Sequence, residues 1–190
     1  MPSLVLRSIT SFLRRHCPHR IEEPSAMRAA VAVVLAPGRS GDPELLLIKR
    51  AERHGDPWSG QMALPGGRQE PGDSSLLHTV RRETHEETGI ELTEDQVLGE
   101  LDDLHPRTSV LPPIVVRPFV FGLPHQPVVQ ISDEVTLHLW VPLSELRNSA
   151  AQSSLTVRGK RLEVSSYVIG PHVIWGMTEH IIKPIIELAD

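Results

Sequence analysis

Cysteine is almost absent from this sequence, since only Cys17 occurs among 190 residues. A single cysteine cannot form a disulfide within the chain, which fits a reducing compartment and favours the cytoplasm. Apolar runs are too short to cross a bilayer, so we expect no membrane partner. The ten histidines lack the His-x3-His spacing of zinc ligands, and no Cys-x2-Cys pair occurs, so a zinc site has little support.

An excess of basic charge is also missing. The chain has 19 Lys and Arg against 24 Asp and Glu, a net charge of -5, so we expect no nucleic-acid partner. A chain of this length commonly folds as one domain. We predict an N-terminal helix and linker over residues 1–25, followed by a single catalytic domain over residues 26–190.

The N-terminal helix is predicted over Ser3–His16, which is amphipathic, carries Arg7, Arg14 and Arg15, and contains no acid. That composition is also typical of an organellar transit peptide, which would place the protein in an organelle matrix. A helix that docks on the catalytic domain is the reading we favour. The same helix could also contact a second copy of the chain in a homodimer.

A second helix is predicted just before Gly89, with Leu77, Val80 and Thr84 on one apolar face. Asp73 or Ser74 can cap its start, and Gly89 supplies a left-handed stop at its end.

Three acids of this helix stand close together: Glu83, Glu86 and Glu87 are related by i,i+3 and i,i+4 spacings. Like charges at these spacings cost about 0.2–0.5 kcal/mol per pair, and the helix dipole disfavours acids in the last turns. A hard divalent cation would turn this repulsion into coordination, so Mg²⁺ or Mn²⁺ is the predicted cofactor.

Strands are predicted on both sides of the acidic helix. The pattern indicates strands at Met27–Ala36, Glu44–Arg50, Val97–Leu104, Ile114–Phe121 and Val135–Val141, and a hairpin across residues 158–160. A short helix at Leu143–Asn148 and a terminal helix at Trp175–Ala189 complete the prediction. Such mixed elements favour an α/β class, an α/β/α sandwich with a mixed sheet.

The stretch from Gly67 to Ile90 resembles the signature of the Nudix hydrolases, Gly-x5-Glu-x7-Arg-Glu-U-x-Glu-Glu-x-Gly-U, where U is aliphatic. The second half matches from Arg82 to Ile90, except that Thr84 takes the aliphatic position. In the first half, one additional residue separates Gly67 from Arg82, and Asp73, with Glu70 nearby, replaces the early glutamate.

A signature lengthened in this way resembles that of the coenzyme A diphosphatase branch of the family. That branch carries a signature similar to Leu47–Ala51, followed by a short spacer and a segment similar to Gly60–Gly67. The segment Ile174–Thr178 also looks like the one that opens its final helix. The resemblance covers roughly Ala29–Leu188.

The resemblance implies an ion site and a general base. Glu83, Glu86 and Glu87, together with the backbone carbonyl of Gly66, are the expected metal ligands. Glu134 is the preferred general base or an additional ligand, with Glu83 as the alternative base. Gly67, Arg82 and Gly89 are expected to shape the site, Arg82 as an ion-pair partner of Asp73 or of a glutamate.

Four other residues are candidates for binding the substrate. Arg50, Arg53 and Arg107 could contact phosphates, although solvated surface arginines are nearly as plausible. Trp58 could stack on an adenine or could close the edge of the core.

The expected reaction is hydrolysis of a nucleoside diphosphate linked to another moiety. Coenzyme A or an acyl-CoA, cut to 4′-phosphopantetheine and adenosine 3′,5′-bisphosphate, is the first candidate substrate. ADP-ribose, dinucleotide polyphosphates and damaged nucleotides are the alternatives. A non-catalytic nucleotide-binding regulator is a second class, but such a protein should have lost acids that this chain retains.

Overall fold

The computed structural model describes residues 3–39, 41–54, 58–106, 112–157 and 159–188. Within these residues the helices are α1 (Leu4–Arg15), α2 (Leu76–Thr88), α3 (Leu143–Asn148) and α4 (Gly176–Glu187). The strands are β1 (Met27–Pro37), β2 (Pro43–Arg50), β3 (Met62–Ala63), β4 (Gly66–Arg68), β5 (Val97–Glu100), β6 (Ile114–Gly122), β7 (Val135–Pro142), β8 (Ala150–Val157), β9 (Lys160–Ile169) and β10 (His172–Trp175).

The larger sheet is mixed, as predicted. Its main order is β3-β2-β1-β6-β5, with β4 paired to β1 and β7 paired to β2. Strands β1 and β6 run parallel, with Met27 opposite Ile114 and Leu35 opposite Gly122. The other pairs in this sheet are antiparallel.

Strands β1 and β2 separate where the site is built. Strands β1 and β2 pair only near their hairpin, where Leu35 lies opposite Leu45. Beyond that point β3 pairs with β2 and β4 pairs with β1. The segment from Met62 to Arg68 therefore lies between the two diverging strands, and it brings Gly66 and Gly67 into the centre of the sheet.

Both faces of the large sheet are buried, because β1 alternates its side chains between two cores. Val33 and Leu35 belong to the core that includes Ile9 of α1, Leu143 of α3 and Ile182 of α4. Ala32 and Val34 belong to the core that includes Val80 of α2. Helices thus cover both faces of the sheet, and the predicted α/β/α sandwich is confirmed.

Helix α1 contributes to this core. Ile9 and Leu13 are buried against the sheet, and α1 lies over β5. The linker that follows is fastened by Asp103, whose carboxylate accepts hydrogen bonds from Arg117 Nε at 2.9 Å and Arg20 Nη1 at 3.2 Å. The backbone N–H of Ile21 also donates to Asp103 Oδ2, at 3.2 Å. No described helix has both the length and the apolarity needed to span a bilayer.

The C-terminal third differs from the prediction in two ways. The predicted hairpin is present but longer, and with β10 it forms a second, three-stranded sheet. The expectation that Trp175 begins the terminal helix is wrong, because Trp175 ends β10 opposite Ser166 and serves as the N-cap of α4.

Strand β5, in the middle of the chain, ends earlier than predicted, at Glu100. Beyond it, Leu104 forms an isolated bridge to Val116.

Candidate active site

Helix α2 is defined by its two ends. The Oγ of Ser75 accepts a hydrogen bond from the backbone N–H of His78 at 3.1 Å, so the helix is capped by Ser75 and the prediction of Asp73 or Ser74 is wrong. Gly89 ends the helix at φ 70°, as predicted, because the left-handed region is accessible to glycine at little cost. These ends place Glu83, Glu86 and Glu87 in the last two turns.

Asp73 is the buried partner of Arg82. Arg82 Nε donates to Asp73 Oδ1 at 3.0 Å and Arg82 Nη2 donates to Asp73 Oδ2 at 2.9 Å, which forms the expected ion pair. The carboxylate also accepts from the Glu70 N–H and from Thr79 Oγ1. The Arg82 hydrogen bonds hold the pKa of Asp73 well below its usual range, although burial opposes this. Asp73 is therefore ionised and fixes the Arg82 side chain.

Arg82 in turn contacts two of the acids. Its Nη1 lies 3.1 Å from Glu83 Oε1 and 2.9 Å from Glu86 Oε2. The second of these is an i,i+4 pair with Glu86 partly in solvent, which is worth only a few tenths of a kcal/mol. Asp73 therefore positions Glu83 and Glu86 indirectly, through one guanidinium.

Glu87 is the buried member of the acidic group, with 3% of its side chain exposed. Its Oε2 accepts the backbone N–H of Gly66 at 2.9 Å, and its Oε1 lies 3.7 Å from Arg50 Nη1. Burial raises the pKa of Glu87 to about 7, against the opposing effects of the Gly66 hydrogen bond and the Arg50 charge. A carboxylate destabilised by burial gains more from a nearby cation than a solvated one.

Glu83 lies against the glycine strand. Burial raises its pKa, and the charges of Glu86 and Glu134 add to that effect while Arg82 opposes it. A Cβ at residue 67 would collide with the Glu83 carboxylate, so glycine at this position gives that carboxylate its room. Gly67 thus has the site-shaping contact expected of it.

Glu134 joins this group from the start of β7. The N–H of Ser132, two residues earlier, donates to the backbone carbonyl of Glu87 at 3.1 Å, so the turn that carries Glu134 lies at the end of α2. At that position the charge of Glu134 raises the pKa of both Glu83 and Glu87. The backbone carbonyl of Glu134 accepts the N–H of Ala51 at 2.8 Å, and its Oε1 lies 3.0 Å from Arg53 Nη1. The fold therefore brings an acid 47 positions beyond Glu87 in the sequence to the acidic end of α2.

The remaining substrate-binding candidates are distributed unevenly. Arg50 and Arg53 both lie beside the acids, at the end of β2 and in the loop after it. Trp58 is half-buried in the turn at residues 58–60 and belongs to neither described core cluster. Arg107 lies outside the described residues. His85 Nε2 lies 4.0 Å from Glu91 Oε1 at the exposed end of α2.

The donor set suits a hard divalent cation. It consists of carboxylates of α2 and a backbone carbonyl of β4. Glu87 is buried and Glu83 is half-buried, and positive charge would offset the cost of that burial. Among the described residues no three His, Cys, Asp or Glu side chains already stand in a metal-binding group. Glu83 and Glu86 instead contact Arg82, Glu87 contacts Arg50 and Glu134 contacts Arg53. A bound cation would compete with these arginines for the carboxylates.

Sequence reasoning did not predict the hydrogen bonds of two threonines of α2. Thr84, at the aliphatic position of the signature, is fully buried, and its Oγ1 donates to the carbonyl of Val80 at 2.7 Å. The hydroxyl is satisfied within the helix, so threonine can replace an aliphatic residue there. Thr79 Oγ1 donates a hydrogen bond to Asp73 in the same region. The sequence feature that could have predicted this contact is the position of Thr79 in the first turn of the helix, shortly after Asp73.

Comparison with known proteins gives a family. The NUDIX domain model matches residues 26–158. An uncharacterised protein of Schizosaccharomyces pombe is 33% identical over 82% of this chain and 53% of its own length. The human mitochondrial coenzyme A diphosphatase NUDT8 is 32% identical over 85% of this chain and 70% of its own length.

A solved structure shows the same fold. A MutT/nudix family protein from Enterococcus faecalis aligns over 97% of this chain and 67% of its own with a TM-score of 0.61, at 19% identity. The acids at the end of α2, the glycine strand beside them and this fold define a Nudix-type hydrolase of phosphoanhydride bonds. The chain belongs to the Nudix hydrolase family.

Proposed function

We propose that the protein hydrolyses the diphosphate of coenzyme A or an acyl-CoA, releasing adenosine 3′,5′-bisphosphate and 4′-phosphopantetheine, which keeps its S-acyl group when the substrate is an acyl-CoA. Water attacks phosphorus, the phosphoanhydride P–O bond breaks, and each product keeps one of the two phosphates. The observation that supports this hydrolytic activity is the position of Glu83 and Glu87 against β4: the Gly66 N–H donates to Glu87 Oε2 at 2.9 Å, and the Glu83 carboxylate fills the space beside Gly67.

The cation would be held by the last turns of α2. Glu83, Glu86 and Glu87, with the carbonyl of Gly66, supply the hard oxygen donors that Mg²⁺ or Mn²⁺ prefers. When bound, that cation offsets the repulsion between an anionic diphosphate and an attacking oxygen. The chain's own contribution is a rigid frame, in which Asp73 fixes Arg82 and the Gly66 N–H fixes Glu87.

Glu134 would take the proton of the attacking water. It stands at the edge of the acidic group with about half of its side chain exposed, so both water and a substrate can reach it. Its carboxylate pairs with Arg53 at 3.0 Å. Glu83 is the alternative base, since it is half-buried and its pKa is raised.

The choice of coenzyme A rests on relatives and on the loop after β2. The human NUDT8 relative is named as a coenzyme A diphosphatase, and a mouse protein of the same name is 28% identical over 85% of this chain. Arg50 and Arg53 lie where the phosphates of such a substrate would approach the acids. Trp58, eight positions after Arg50, is our candidate for stacking on the adenine.

The proposal is tested by offering coenzyme A and ADP-ribose separately with Mg²⁺ and identifying the products by chromatography. We expect 4′-phosphopantetheine and adenosine 3′,5′-bisphosphate from coenzyme A, and a lower kcat/KM for ADP-ribose. A preference for ADP-ribose would contradict the substrate and leave the reaction class intact. Nucleotide binding without turnover of either would instead identify a non-catalytic regulator.

A further inference from the structure

The loop after β2 carries two arginines that each hold a different acid of the site. Arg50 Nη1 lies 3.7 Å from Glu87 Oε1, and Arg53 Nη1 lies 3.0 Å from Glu134 Oε1. The first pair is largely buried and the second is half-exposed, with exposed fractions of 52% for Arg53 and 49% for Glu134. The two arginines therefore differ in how easily they can change partner.

The backbones that carry Arg53 and Glu134 are fixed relative to each other. The N–H of Ala51 donates to the carbonyl of Glu134 at 2.8 Å, which joins the two segments. The N–H of Arg53 donates to Ser59 Oγ at 2.7 Å, which holds its own loop. Partner exchange would thus require only side-chain rotation, and an exposed ion pair of this kind is worth about 0–1 kcal/mol.

Arg53 now occupies the carboxylate that the proposed reaction needs free. The turn that carries Glu134 lies at the end of α2, where the N–H of Ser132 donates to the backbone carbonyl of Glu87 at 3.1 Å, yet one oxygen of Glu134 is taken by Arg53. A diphosphate brings oxygens that compete for a guanidinium through short, charge-assisted hydrogen bonds.

We propose that Arg53 exchanges partners: it holds Glu134 in the free protein and moves to the phosphates of an anionic substrate, releasing Glu134 toward Glu83 and Glu87. This inference rests on the proposed function. Arg53 is thereby both an anion-binding residue and a positioning residue for Glu134. Substrate binding itself then frees the base, and Glu134 stays engaged while no diphosphate is present.

The exchange predicts opposite effects of Arg53→Gln on two ligands. Mn²⁺ should bind the substrate-free variant about two- to fivefold more tightly, because Glu134 is no longer held by Arg53. The KM for coenzyme A should rise about tenfold or more, because a charge-assisted contact to phosphate is lost. Arg53→Lys should recover part of the KM, since it keeps the charge and loses the planar fork.

A double-mutant cycle separates exchange from a simple field effect. Mn²⁺ affinity is measured by calorimetry, without substrate, for the wild type, Arg53→Gln, Glu134→Gln and the double variant. We expect Arg53→Gln to tighten Mn²⁺ binding in the wild-type background and to leave it unchanged in the Glu134→Gln background. Arg161→Gln is the matched control, because Arg161 pairs with Glu163 at 3.5 Å in the small sheet, and it should change nothing.

Each outcome distinguishes the two proposals. If the wild type captures no Mn²⁺, the proposed function fails and the exchange fails with it. If the wild type binds Mn²⁺ but Arg53→Gln weakens it, leaves it unchanged, or tightens it equally in both backgrounds, the exchange is overturned while the proposed function stands.

Discussion

The backbone N–H of Gly66 donates a 2.9 Å hydrogen bond to Glu87 Oε2, and this contact joins the glycine strand to the acidic helix. Gly66 belongs to β4, which lies between the diverging strands β1 and β2 and pairs with β1. The contact therefore ties a buried carboxylate to the centre of the sheet. It explains how a helix with three neighbouring acids keeps one of them fixed in the protein interior.

The room beside Gly67 gives a first prediction. Gly67→Ala should displace the Glu83 carboxylate, because the added Cβ would overlap it. We expect Mn²⁺ binding and turnover to fall at least tenfold, measured by calorimetry and by product release. Gly72→Ala is the control, since a Cβ there meets nothing within 4 Å, and activity should be retained. Unchanged Mn²⁺ affinity in Gly67→Ala would remove Glu83 from the ion site.

Replacing Glu86 should lower turnover strongly while changing the stability of the fold very little. Its side chain is 56% exposed and pairs with Arg82, so Glu86→Gln should lower the free energy of unfolding by less than about 1 kcal/mol. Turnover should fall by orders of magnitude, because a proposed ligand loses its charge. Steady-state kinetics and thermal unfolding of the same sample check this. Glu91→Gln, on the other side of the helix end, should be neutral in both, and a Glu86→Gln variant with normal turnover would refute the assignment.

Asp103 gives a prediction for stability against pH. Burial alone would raise its pKa, but the hydrogen bonds from Arg117 and Ile21 and the Arg20 charge outweigh this and lower it. Because the pKa is lower in the folded protein, the ionised carboxylate contributes its full stabilisation above the pKa of the unfolded chain, about 3.9. That stabilisation is lost as the pH falls through the lower pKa of the folded protein. Asp103→Asn should therefore cost about 3 kcal/mol at pH 7.

The loss of unfolding free energy caused by Asp103→Asn should become smaller at acidic pH. Denaturant unfolding of the wild type and Asp103→Asn, repeated between pH 7 and pH 3, should show the two free energies converging below about pH 4. A difference that stays constant across this range would mean that packing, rather than the charge of Asp103, holds the linker.

We propose that the N-terminal helix is a docked part of the folded unit. Leu13 is buried and lies beside Gly99 of β5, so Leu13→Ala should lower the free energy of unfolding by about 3 kcal/mol. Leu4→Ala is the matched control on the same helix, because Leu4 is 81% exposed, and it should have little effect. Equal, small effects of both changes in denaturant titrations would indicate a helix that the fold does not need.

Local patterns in the sequence predicted the helix that carries the acids. Its apolar face and Gly89 follow from helical periodicity and backbone sterics, both of which act over a few residues. The wrong cap has a physical cause: Asp73 has the chemistry of a cap, but its carboxylate is committed to Arg82 and Thr79, so Ser75 takes the role.

Long-range contacts were beyond the sequence patterns. The Arg53–Glu134 pair joins residues 81 positions apart, and no periodicity encodes that meeting. Strand β10 was not predicted, and its last residue, Trp175, was assigned to the terminal helix, because His172–Trp175 is too short to display an alternation. The short strands β3 and β4 exist only because β1 and β2 diverge, a feature of the whole sheet rather than of residues 62–68.

We propose that Glu83, Glu86 and Glu87 hold a divalent cation. A Mn²⁺ titration followed by electron paramagnetic resonance is the direct test of this proposal. The wild type should remove Mn²⁺ from the free pool at or below millimolar concentrations, and Glu87→Gln should bind it at least tenfold more weakly. A wild type that leaves the free Mn²⁺ signal unchanged, or a Glu87→Gln variant that binds equally well, would contradict the account.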